Sequence, residues 1–439
     1  MITKIKGTQD ILPQEIHRWQ RLEQAIKQVA RLYNYTEMRT PLFEASELFH
    51  RGIGSTTDIV KKETYDFTDR GGRSLTLRPE GTAAIIRSVV ENKLYSSLPQ
   101  PLKLFYYGPM FRYERPQKGR QRQFHQFGAE VIGSENPLVD SEIIAFATTF
   151  LFAIGIKDVK VKINSLGDQE SKDRYRENLK AYLEPVIGKL CHDCQRRYLE
   201  NPLRVLDCKV DKENSALLNA PKPLDFLSKK ASEHFESVIR YLEALDIKYD
   251  IDKSLVRGLD YYTHTVFELE ADLPTLGAQA TLCGGGRYDD LAETLGGPSL
   301  PAVGFSFGIE RLLLALESFS QKQCSPLIDA FLIVIGDKPK PSAVAIVESL
   351  RRGGLVVDYD FLDRNLKGQF NQGEKLGTRF FLIFGEEELA GENINVKNAK
   401  TGQQQRIALR DLYAYLVDCI RKEHLECTGN CQNCEEDRQ

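Results

Sequence analysis

Apolar side chains recur at steps of three and four residues near the start of the chain. This spacing places them on one face of an α-helix, so the sequence predicts an amphipathic helix packed against a core. Asp10 and Pro13 precede the pattern and are residue types typical of a helix start, so we expect the helix to open there. The recurring positions are Ile16, Trp19, Leu22, Ile26, Val29 and Tyr33.

From about residue 35 onward, the pattern changes to short apolar runs separated by turns. Two runs, 104–112 and 124–132, flank a polar link, which is the arrangement of an antiparallel hairpin with a long loop. Further strands are expected at 75–80, 256–270, 279–285 and 301–308, with a helix at 309–316.

Changes in pattern also predict domain boundaries. Residues 168–245 are mostly charged, have helical spacing and interrupt the strands, so we expect an insertion. The polar stretch 317–326 ends in Pro326 and is expected to be a linker. Strands and helices alternate beyond it, which predicts a compact α/β domain. The expected divisions are a first domain at 1–325, a second at 327–425 and a cysteine-rich polar tail at 426–439.

The composition is that of a globular protein. The 439 residues are 41% hydrophobic and 28% charged, which excludes an intrinsically disordered chain. No uninterrupted apolar stretch approaches ~20 residues, so we expect no membrane association. The first ten residues lack a secretory signal, and nine sparse cysteines fit a reducing compartment, so we expect a cytoplasmic location.

The net charge of −3 argues, at the scale of the whole chain, against a nucleic-acid partner. The segment from Arg112 to Arg122 departs from this balance, with five cations and one anion in eleven residues. A solvated hairpin loop is the simpler explanation. However, Arg112 ends an expected strand, and a guanidinium group on a fixed base suits bidentate contact with phosphate. The segment therefore indicates a local polyanion site.

The common phosphate-binding fingerprints, G-x-x-x-x-G-K-[ST] and G-x-G-x-x-G, do not occur in the sequence. Gly304, Ser306 and Gly308 match the G-x-S-x-G nucleophile elbow of acyl hydrolases. That reaction needs a downstream histidine, but His424 alone follows Ser306, and the neighbouring strands have an antiparallel pattern. Glycines that permit close backbone packing are therefore the better explanation.

Several segments, taken together and in order, resemble the class II aminoacyl-tRNA synthetases and most closely the bacterial histidyl-tRNA synthetases. The resemblance covers about residues 1–425 and includes the two signatures specific to the histidine enzymes. The matching segments are 7–10, 40–44 (the dimer-interface motif 1), 76–82, 111–130 (motif 2), 255–262 and 284–289 (the histidine signatures), and 304–311 (motif 3).

The resemblance implies an α+β fold. It consists of an antiparallel catalytic sheet of six to seven strands flanked by helices, a helical insertion, and a C-terminal α/β anticodon-binding domain. It also implies a homodimer that uses ATP and Mg²⁺ to convert L-histidine to histidyl-adenylate and then transfers histidine to the 3′ end of tRNA(His). An inactive relative, the regulatory subunit of ATP phosphoribosyltransferase, has the same core. Such a relative is expected to lose catalytic arginines, whereas Arg112, Arg257 and Arg311 are all present here.

The resemblance also implies roles for individual residues. For ATP, Arg112 would contact the α-phosphate, Arg311 the γ-phosphate and Arg120 the pyrophosphate end, while Glu114 would accept from the adenine amine and Phe124 would stack on the ring. Arg257 would contact both the histidine carboxylate and the α-phosphate, so Arg257 and Arg112 would be the catalytic residues. The residues implied around the histidine amino group and imidazole are Glu80, Thr82, Gln126, Glu130, Tyr262 and Tyr288, and those facing the tRNA acceptor end are Arg115, Gln117, Lys118 and Arg122.

The cysteines form two groups. Cys191, Cys194 and Cys208 include a C-x₂-C spacing, and His192 or Asp193 could complete a zinc site. Ordinary thiols in an insertion are the simpler explanation, so zinc is not expected and no metal ligand is assigned. The tail group, which with His424 is equally incomplete, contains Cys427, Cys431 and Cys434.

Overall fold

The computed structural model describes the chain except for residues 55, 56, 58, 207, 209, 212, 258, 277–279, 320–327 and 429–439, and except for the side chains of 424–428. The chain forms two compact units, Met1–Ser320 and Gln321–Gln439. Most of the predicted linker and of the cysteine-rich tail lies outside the described residues. Within the described part, no helix is both long enough and apolar enough to cross a membrane.

The first unit contains eleven strands among its described residues. They are β1 (Thr36–Glu37), β2 (Phe43–Ala45), β3 (Tyr65–Thr68), β4 (Ser74–Leu77), β5 (Leu102–Phe111), β6 (Gln123–Ile132), β7 (Lys160–Ser165), β8 (Tyr249–Ile251), β9 (Thr263–Glu270), β10 (Thr281–Arg287) and β11 (Ala302–Gly308). Eight of them form the central sheet, in the order β1-β5-β6-β11-β10-β9-β7-β8, and β2, β4 and β3 form a small second sheet.

The central sheet corrects the expectation of a purely antiparallel sheet of six to seven strands. It has eight strands and is mixed, because β1 pairs in parallel with β5 and β8 pairs in parallel with β7. The six strands between these edges pair antiparallel. The two edge strands have two and three residues, which is too short for an alternating pattern to be visible in the sequence.

The helices of the first unit are α1 (Ile16–Leu32), α2 (Ser46–Ile53), α3 (Thr82–Glu91), α4 (Leu94–Ser97), α5 (Pro137–Ala153), α6 (Gln169–Leu183), α7 (His192–Glu200), α8 (Ser215–Leu218), α9 (Lys229–Ala244), α10 (Leu291–Thr294) and α11 (Ile309–Leu316). Helix α1 begins at Ile16 rather than near Asp10, because Pro13 lies in a turn over residues 13–15 that precedes it. Residues 256–257 and 259–262, which fall in a predicted strand, are irregular, and β9 begins only at Thr263.

Successive residues of β6 point to opposite faces of the sheet, as the pleat requires. Phe127, Ala129 and Val131 enter a large apolar core that also contains the buried faces of α1 and α5. The alternate residues, among them Gln126 and Glu130, therefore belong to the other face. This alternation places polar side chains opposite the main core.

Four helices, α6 to α9, lie between β7 and β8. Part of this segment has a small core of its own, formed by Tyr175, Leu179, Leu183, Leu190, Cys194, Val205, Cys208, Leu217 and Ala220. The segment therefore has the helical character that its charged pattern suggests.

The second unit alternates strands and helices. Its elements are β12 (Ile328–Val334), α12 (Lys340–Arg352), β13 (Val357–Tyr359), α13 (Leu366–Lys375), β14 (Thr378–Phe384), α14 (Glu386–Ala390), β15 (Asn393–Asn398), β16 (Gln404–Ala408) and α15 (Leu412–Thr428). The sheet order is β13-β12-β14-β15-β16, with parallel pairing around β12 and antiparallel pairing beyond β14. Leu332, Val347, Leu382 and Leu416 are fully buried in its core.

Candidate active site

A cavity of about 200 Å³ in the first unit gathers residues from distant parts of the chain. Seven of the residues proposed from the sequence line it: Glu80, Thr82, Arg112, Gln126, Arg257, Tyr262 and Tyr288. Six of the other lining residues lie in segments that carry the resemblance but were given no role there, and Ile59 lies outside those segments. These residues are Ile59, Leu259, Tyr261, Gly284, Gly304, Phe305 and Ser306.

The strand register explains why these residues meet. Gly304 of β11 lies opposite Glu130 of β6, and Ser306 lies opposite Gly284 of β10. Three adjacent strands therefore contribute to one patch of the sheet. Glu80 and Thr82 reach the same patch from the start of α3.

Two glycines make room for charged side chains. A Cβ atom on Gly284 would lie 1.8 Å from Nη2 of Arg257, and one on Gly304 would lie 1.6 Å from Oε2 of Glu130. The two residues that follow Gly284 on β10 also have no space for a side chain. A Cβ on Gly285 would lie 2.3 Å from the carbonyl oxygen of Gly304, and one on Gly286 would lie 2.6 Å from the carbonyl oxygen of Thr265. Gly284 and Gly304 therefore leave space for Arg257 and Glu130 beside the cavity, while Gly285 and Gly286 allow the neighbouring backbone to pack closely.

Arg257 is held in place by an acidic partner. Its Nη1 donates to Oε1 of Glu268 on β9, and the Thr281 hydroxyl donates to the other oxygen of that carboxylate at 2.9 Å. The guanidinium group therefore has a fixed position at the cavity wall.

Two buried carboxylates lie beside the cavity. Glu80 accepts from the backbone N–H groups of Thr82 (2.6 Å) and Ala83 (3.0 Å), and burial raises its pKa. Glu130 is fully buried and accepts from the hydroxyls of Thr82 (2.8 Å) and Tyr288. Burial, opposed by these hydrogen bonds and assisted by the charge of Glu80, raises the pKa of Glu130 to about 8. Glu130 thus lies behind Thr82 and Tyr288, and they separate it from the cavity.

Gln126 has unused acceptor capacity at the cavity. Its Nε2 donates to the Ser306 hydroxyl at 3.1 Å, and its buried Oε1 has no hydrogen-bond partner among the described residues. A buried acceptor without a donor is costly, so a ligand that donates a hydrogen bond would be favoured there.

Arg112 is fixed from two sides. Its Nε donates to the carbonyl oxygen of Pro79 at 2.8 Å, and its Cζ lies 5.4 Å from the centre of the Phe124 ring. Glu114 lies 3.9 Å from Arg112 and 3.5 Å from Arg120. The sequence-predicted ATP residues of the hairpin are therefore close together.

The positive charge of Arg120 acts on Arg311. Burial, and then the positive charge of Arg120, lower the pKa of Arg311. Two like charges held in one region favour an anion between them. The residue before Arg311, Glu310, accepts from the backbone N–H of His125 at 2.9 and 3.0 Å, which ties α11 to the strand that carries Phe124 and Gln126.

The basic hairpin loop ends in a tight turn. Gln117 and Arg120 exchange backbone hydrogen bonds of 3.1 and 2.9 Å, and Gly119 adopts a φ of +74° that favours glycine. Arg115, Gln117 and Lys118 are exposed, whereas Arg122 is partly buried with its guanidinium 4.0 Å from the Tyr113 ring.

Arg287, in the second histidine signature, belongs to the scaffold. It is fully buried and pairs with Asp140 of α5 and, at 3.1 Å, with Asp289. Burial opposes a charge on Asp140, but the ion pair with Arg287 outweighs it and holds the pKa of Asp140 below its ordinary value. This pair anchors the end of β10, next to Tyr288.

The structure argues against the acyl-hydrolase elbow. Strand β11 pairs antiparallel with both β6 and β10, whereas the elbow requires a parallel sheet. Ser306 accepts its hydrogen bond from Gln126 rather than from a histidine.

Comparisons with known proteins agree with this picture. The family described as "Histidyl-tRNA synthetase" matches residues 7–312, and the "Anticodon binding domain" family matches residues 329–418. A histidine–tRNA ligase of Bacillus velezensis is 51% identical over 414 residues, covering 94% of this chain and 97% of the relative. That of Bacillus subtilis is also 51% identical, covering 95% and 98%.

Solved structures agree in fold. The apo histidyl-tRNA synthetase of S. aureus superposes with a TM-score of 0.82 at 43% identity, covering 95% of this chain and all of that one. A Bacillus halodurans structure titled as an ATP phosphoribosyltransferase regulatory subunit/histidyl-tRNA synthetase shares 22% identity with a TM-score of 0.62 over 88% of this chain and 98% of that one, which supports the fold alone. The chain belongs to the histidyl-tRNA synthetase family. The relatives with high identity over nearly the whole chain are named as histidine–tRNA ligases. The predicted activity, a ligase that attaches histidine to tRNA, is therefore confirmed, and the regulatory-subunit alternative is not supported.

Proposed function

We propose that this protein activates L-histidine with ATP to form histidyl-adenylate and transfers histidine to the 3′ end of tRNA(His). The observation that carries the proposal is the cavity whose lining contains Arg112 and Arg257 together with Glu80, Gln126 and Tyr288. Two cations combined with carboxylate, amide and hydroxyl oxygens suit a zwitterionic amino acid beside a phosphate.

Histidine would bind with its carboxylate toward Arg257 and its amino group and imidazole toward the acceptors. Glu80 and Gln126 line the cavity and offer acceptor oxygens, while Thr82 and Tyr288 lie between the cavity and Glu130. Tyr262, which also lines the cavity, would close the pocket around the bound histidine. Such a pocket strongly rejects analogues that lack the hydrogen-bonding groups of histidine, because its own buried polar groups would then be left unpaired.

In the first step, a carboxylate oxygen of histidine attacks the α-phosphorus of ATP, and the bond to pyrophosphate breaks. Arg112 and Arg257 would stabilise the negative charge that develops on the α-phosphate oxygens. Both guanidinium groups are already fixed, by Pro79 and by Glu268, so little reorganisation is needed. Arg120 and Arg311 would hold the departing pyrophosphate, with the adenine between Phe124 and Glu114.

Mg²⁺ would be held mainly by phosphate oxygens of ATP and by water, and its charge would offset that of the phosphates. Glu268 and Glu270 offer carboxylate oxygens of the kind that this ion prefers, and both accept from the Thr281 hydroxyl, at 2.9 and 3.4 Å. Glu268 also pairs with Arg257 and Glu270 with Lys162 (2.9 Å), so these carboxylates would share any ion with the two cations.

In the second step, a hydroxyl of the terminal tRNA ribose attacks the adenylate carbonyl carbon and AMP leaves. The exposed Arg115, Gln117 and Lys118 would meet the acceptor end, with Arg122 supporting their loop. The second unit would bind the anticodon. This role implies a cytoplasmic location, where tRNA is charged.

A homodimer is part of the proposal. The segment resembling motif 1 leaves Leu42 and Phe43 exposed. Phe67 of β3, on the far side of β4 in the small sheet, is also exposed, and its ring centre lies 6.4 Å from that of Phe43. Adjacent exposed apolar side chains of this size favour burial against a second copy. Sedimentation analysis of the protein checks this expectation.

Histidine-dependent ATP–pyrophosphate exchange tests the activation step. We expect exchange in the pure protein and its near abolition in Arg257→Ala, because the variant loses the charge that stabilises the transition state. Arg31→Ala, at an exposed position of α1, is the matched control and should keep full activity. Absence of exchange in the wild type would overturn the proposal and favour the regulatory alternative, whereas near-normal exchange in Arg257→Ala would overturn the role of that residue.

A further inference from the structure

Four potential metal ligands converge in the helical insertion. Each of Cys191, Cys194, Cys208 and Asp211 offers one ligand atom, and these four atoms all lie within 4.8 Å of one another. Cys194 and Cys208 are buried in the small core of the insertion, while Cys191 and Asp211 are partly exposed. The group therefore has a closed side and an open side through which an ion could enter.

Two spacings between ligand atoms match the edges of a tetrahedral metal centre. The sulfur atoms of Cys191 and Cys208 are 3.6 Å apart, and the Cys208 sulfur lies 3.5 Å from Oδ2 of Asp211. Bond lengths of about 2.3 Å to sulfur and about 2.0–2.2 Å to oxygen give tetrahedral edges of about 3.8 Å between two sulfur atoms and about 3.5–3.7 Å between sulfur and oxygen. A disulfide would need sulfur atoms about 2.05 Å apart, and all three cysteines are free.

Backbone hydrogen bonds orient two of the ligands. The N–H of Asp211 donates to the Cys208 sulfur at 3.2 Å, and the N–H of Cys191 donates to Oδ2 of Asp211 at 2.9 Å. Donors of this kind stabilise negative charge on a thiolate or carboxylate and are typical of the surroundings of bound metals. His192 and Asp193, considered as fourth ligands from the sequence, lie outside the cluster, and Asp193 pairs with Arg196 at 3.0 Å.

We propose that Cys191, Cys194, Cys208 and Asp211 bind one Zn²⁺ ion in a structural site. Three thiolates and one carboxylate complete four-coordination, which leaves no open position for catalysis. On binding, the three thiols release their protons to solvent, and no electron transfer takes place. Soft thiolate ligands in a tetrahedral arrangement select zinc over Mg²⁺ or Ca²⁺.

The proposed ion would tie the start of α7 to the segment around Asp211. The chain between these points contains Arg204, whose guanidinium donates to Oδ1 of Asp260 at 2.6 Å. Asp260 directly precedes Tyr261 and Tyr262, which line the active-site cavity. The zinc site therefore supports, through Arg204, the irregular segment that forms one wall of that cavity.

Metal content is the direct test. Elemental analysis and native mass spectrometry of the full-length protein, purified under reducing conditions, should give one zinc per chain. Co²⁺ exchanged into the site should show the thiolate charge-transfer band and the visible spectrum of a tetrahedral centre.

Cys191→Ser and Asp211→Asn change partly exposed positions and should fold, while weakening zinc affinity by more than about tenfold. Asp211→Cys should retain zinc and release it to a chelator more slowly than the wild type.

Two controls locate the site. Cys419→Ser, in the second unit, and the full-length triple replacement of Cys427, Cys431 and Cys434 by serine should each keep one zinc. Loss of zinc in the triple variant would place the ion in the tail and overturn the proposal. A wild type that takes up neither Zn²⁺ nor Co²⁺, that carries iron instead, or that forms a Cys191–Cys208 disulfide on reductive isolation would also overturn it. The proposal would likewise be overturned if Cys191→Ser and Asp211→Asn both bound zinc with the occupancy and affinity of the wild type.

Discussion

The position of the Arg257 guanidinium depends on the missing side chain at residue 284. Because the atom that a Cβ would meet is the far end of a flexible side chain, Gly284→Ala should fold but displace that group. We expect kcat/KM for histidine-dependent exchange to fall at least about tenfold, which corresponds to about 1.4 kcal/mol of transition-state stabilisation. Steady-state exchange kinetics together with a thermal melt separate this effect from unfolding.

Gly188→Ala is the control for this prediction. A Cβ at residue 188 meets no atom within 4 Å, so the added methyl group should change neither exchange nor melting temperature. Equal activity of the Gly284→Ala variant and the wild type would show that Arg257 does not need its observed position.

The buried carboxylate of Glu130 predicts a pH dependence of stability. Its pKa is raised from 4.5 to about 8 in the folded protein, so the fold retains a proton that the unfolded chain releases. This contribution to stability is complete below about pH 4.5 and is lost as the pH rises through about 8. Glu130→Gln removes the titration, so its melting temperature relative to the wild type should rise between about pH 5 and 8.5.

Melting curves of both proteins across this pH range, in one buffer series of constant ionic strength, provide the measurement. Parallel profiles for the wild type and Glu130→Gln would mean that Glu130 titrates near its ordinary pKa in the fold.

Individual cavity residues could be predicted from the sequence where they belong to a motif with a defined residue type at each position. Arginines, carboxylates and tyrosines of the cavity could be named because they stand in segments that resemble synthetase motifs, and the resemblance implies a role for each. Asp211 could not be named, because it follows Cys208 at a spacing without a metal signature. Tyr261 lies within a recognised signature, yet the sequence does not show that both of the adjacent tyrosines line the cavity.

At the scale of elements, the hairpin of β5 and β6 presents its basic loop to solvent. Arg115→Ala/Lys118→Ala should weaken tRNA binding, because each lost phosphate contact removes counterion release. The slope of log affinity against log salt should decrease by about 0.7–0.9 per contact. Exchange without tRNA should be unchanged. Filter binding of tRNA(His) at several salt concentrations measures the slope.

Lys27→Ala/Arg31→Ala removes the same charge from exposed positions of α1 and serves as the control. If both double variants show the same loss of slope, the effect reflects total charge, and the loop has no particular role.

Long secondary-structure elements could be predicted from the sequence, whereas short ones could not. Strands β5 and β6 have ten residues each, so their alternation is visible along the chain. The parallel edge strands β1 and β8 are too short to show any period, and they changed the sheet from antiparallel to mixed. Residues 256–257 and 259–262 include strand-forming types but are irregular, and Leu259, Tyr261 and Tyr262 line the cavity, so tertiary context overrides their propensity.

At the scale of the whole molecule, the chain forms two units with separate cores, and we expect histidine activation to depend on the first unit and part of the tRNA binding on the second. The active-site cavity is lined by the first unit alone, and both apolar cores beside the sheet are formed within it. A chain ending at residue 319 should therefore keep histidine-dependent exchange. Charging of tRNA(His) should fall on the order of 100-fold, as expected if roughly 3 kcal/mol of RNA contacts are lost.

Exchange and aminoacylation assays on this shortened chain and on the full-length protein give the comparison. Loss of exchange in a shortened chain that still melts cooperatively would indicate that the second unit contributes to activation. Equal tRNA charging by both would indicate that it contributes nothing to RNA recognition.

The run Gly284–Gly286 has a consequence for the gene. Each of these positions faces an atom closer than any Cβ tolerates, and two of the three obstacles are backbone carbonyls that cannot swing aside. Every missense change in these three successive codons adds at least a Cβ, whichever base is altered. Variation here should therefore be restricted to synonymous changes at the third base, and a screen of random substitutions should recover no functional replacement at Gly285 or Gly286.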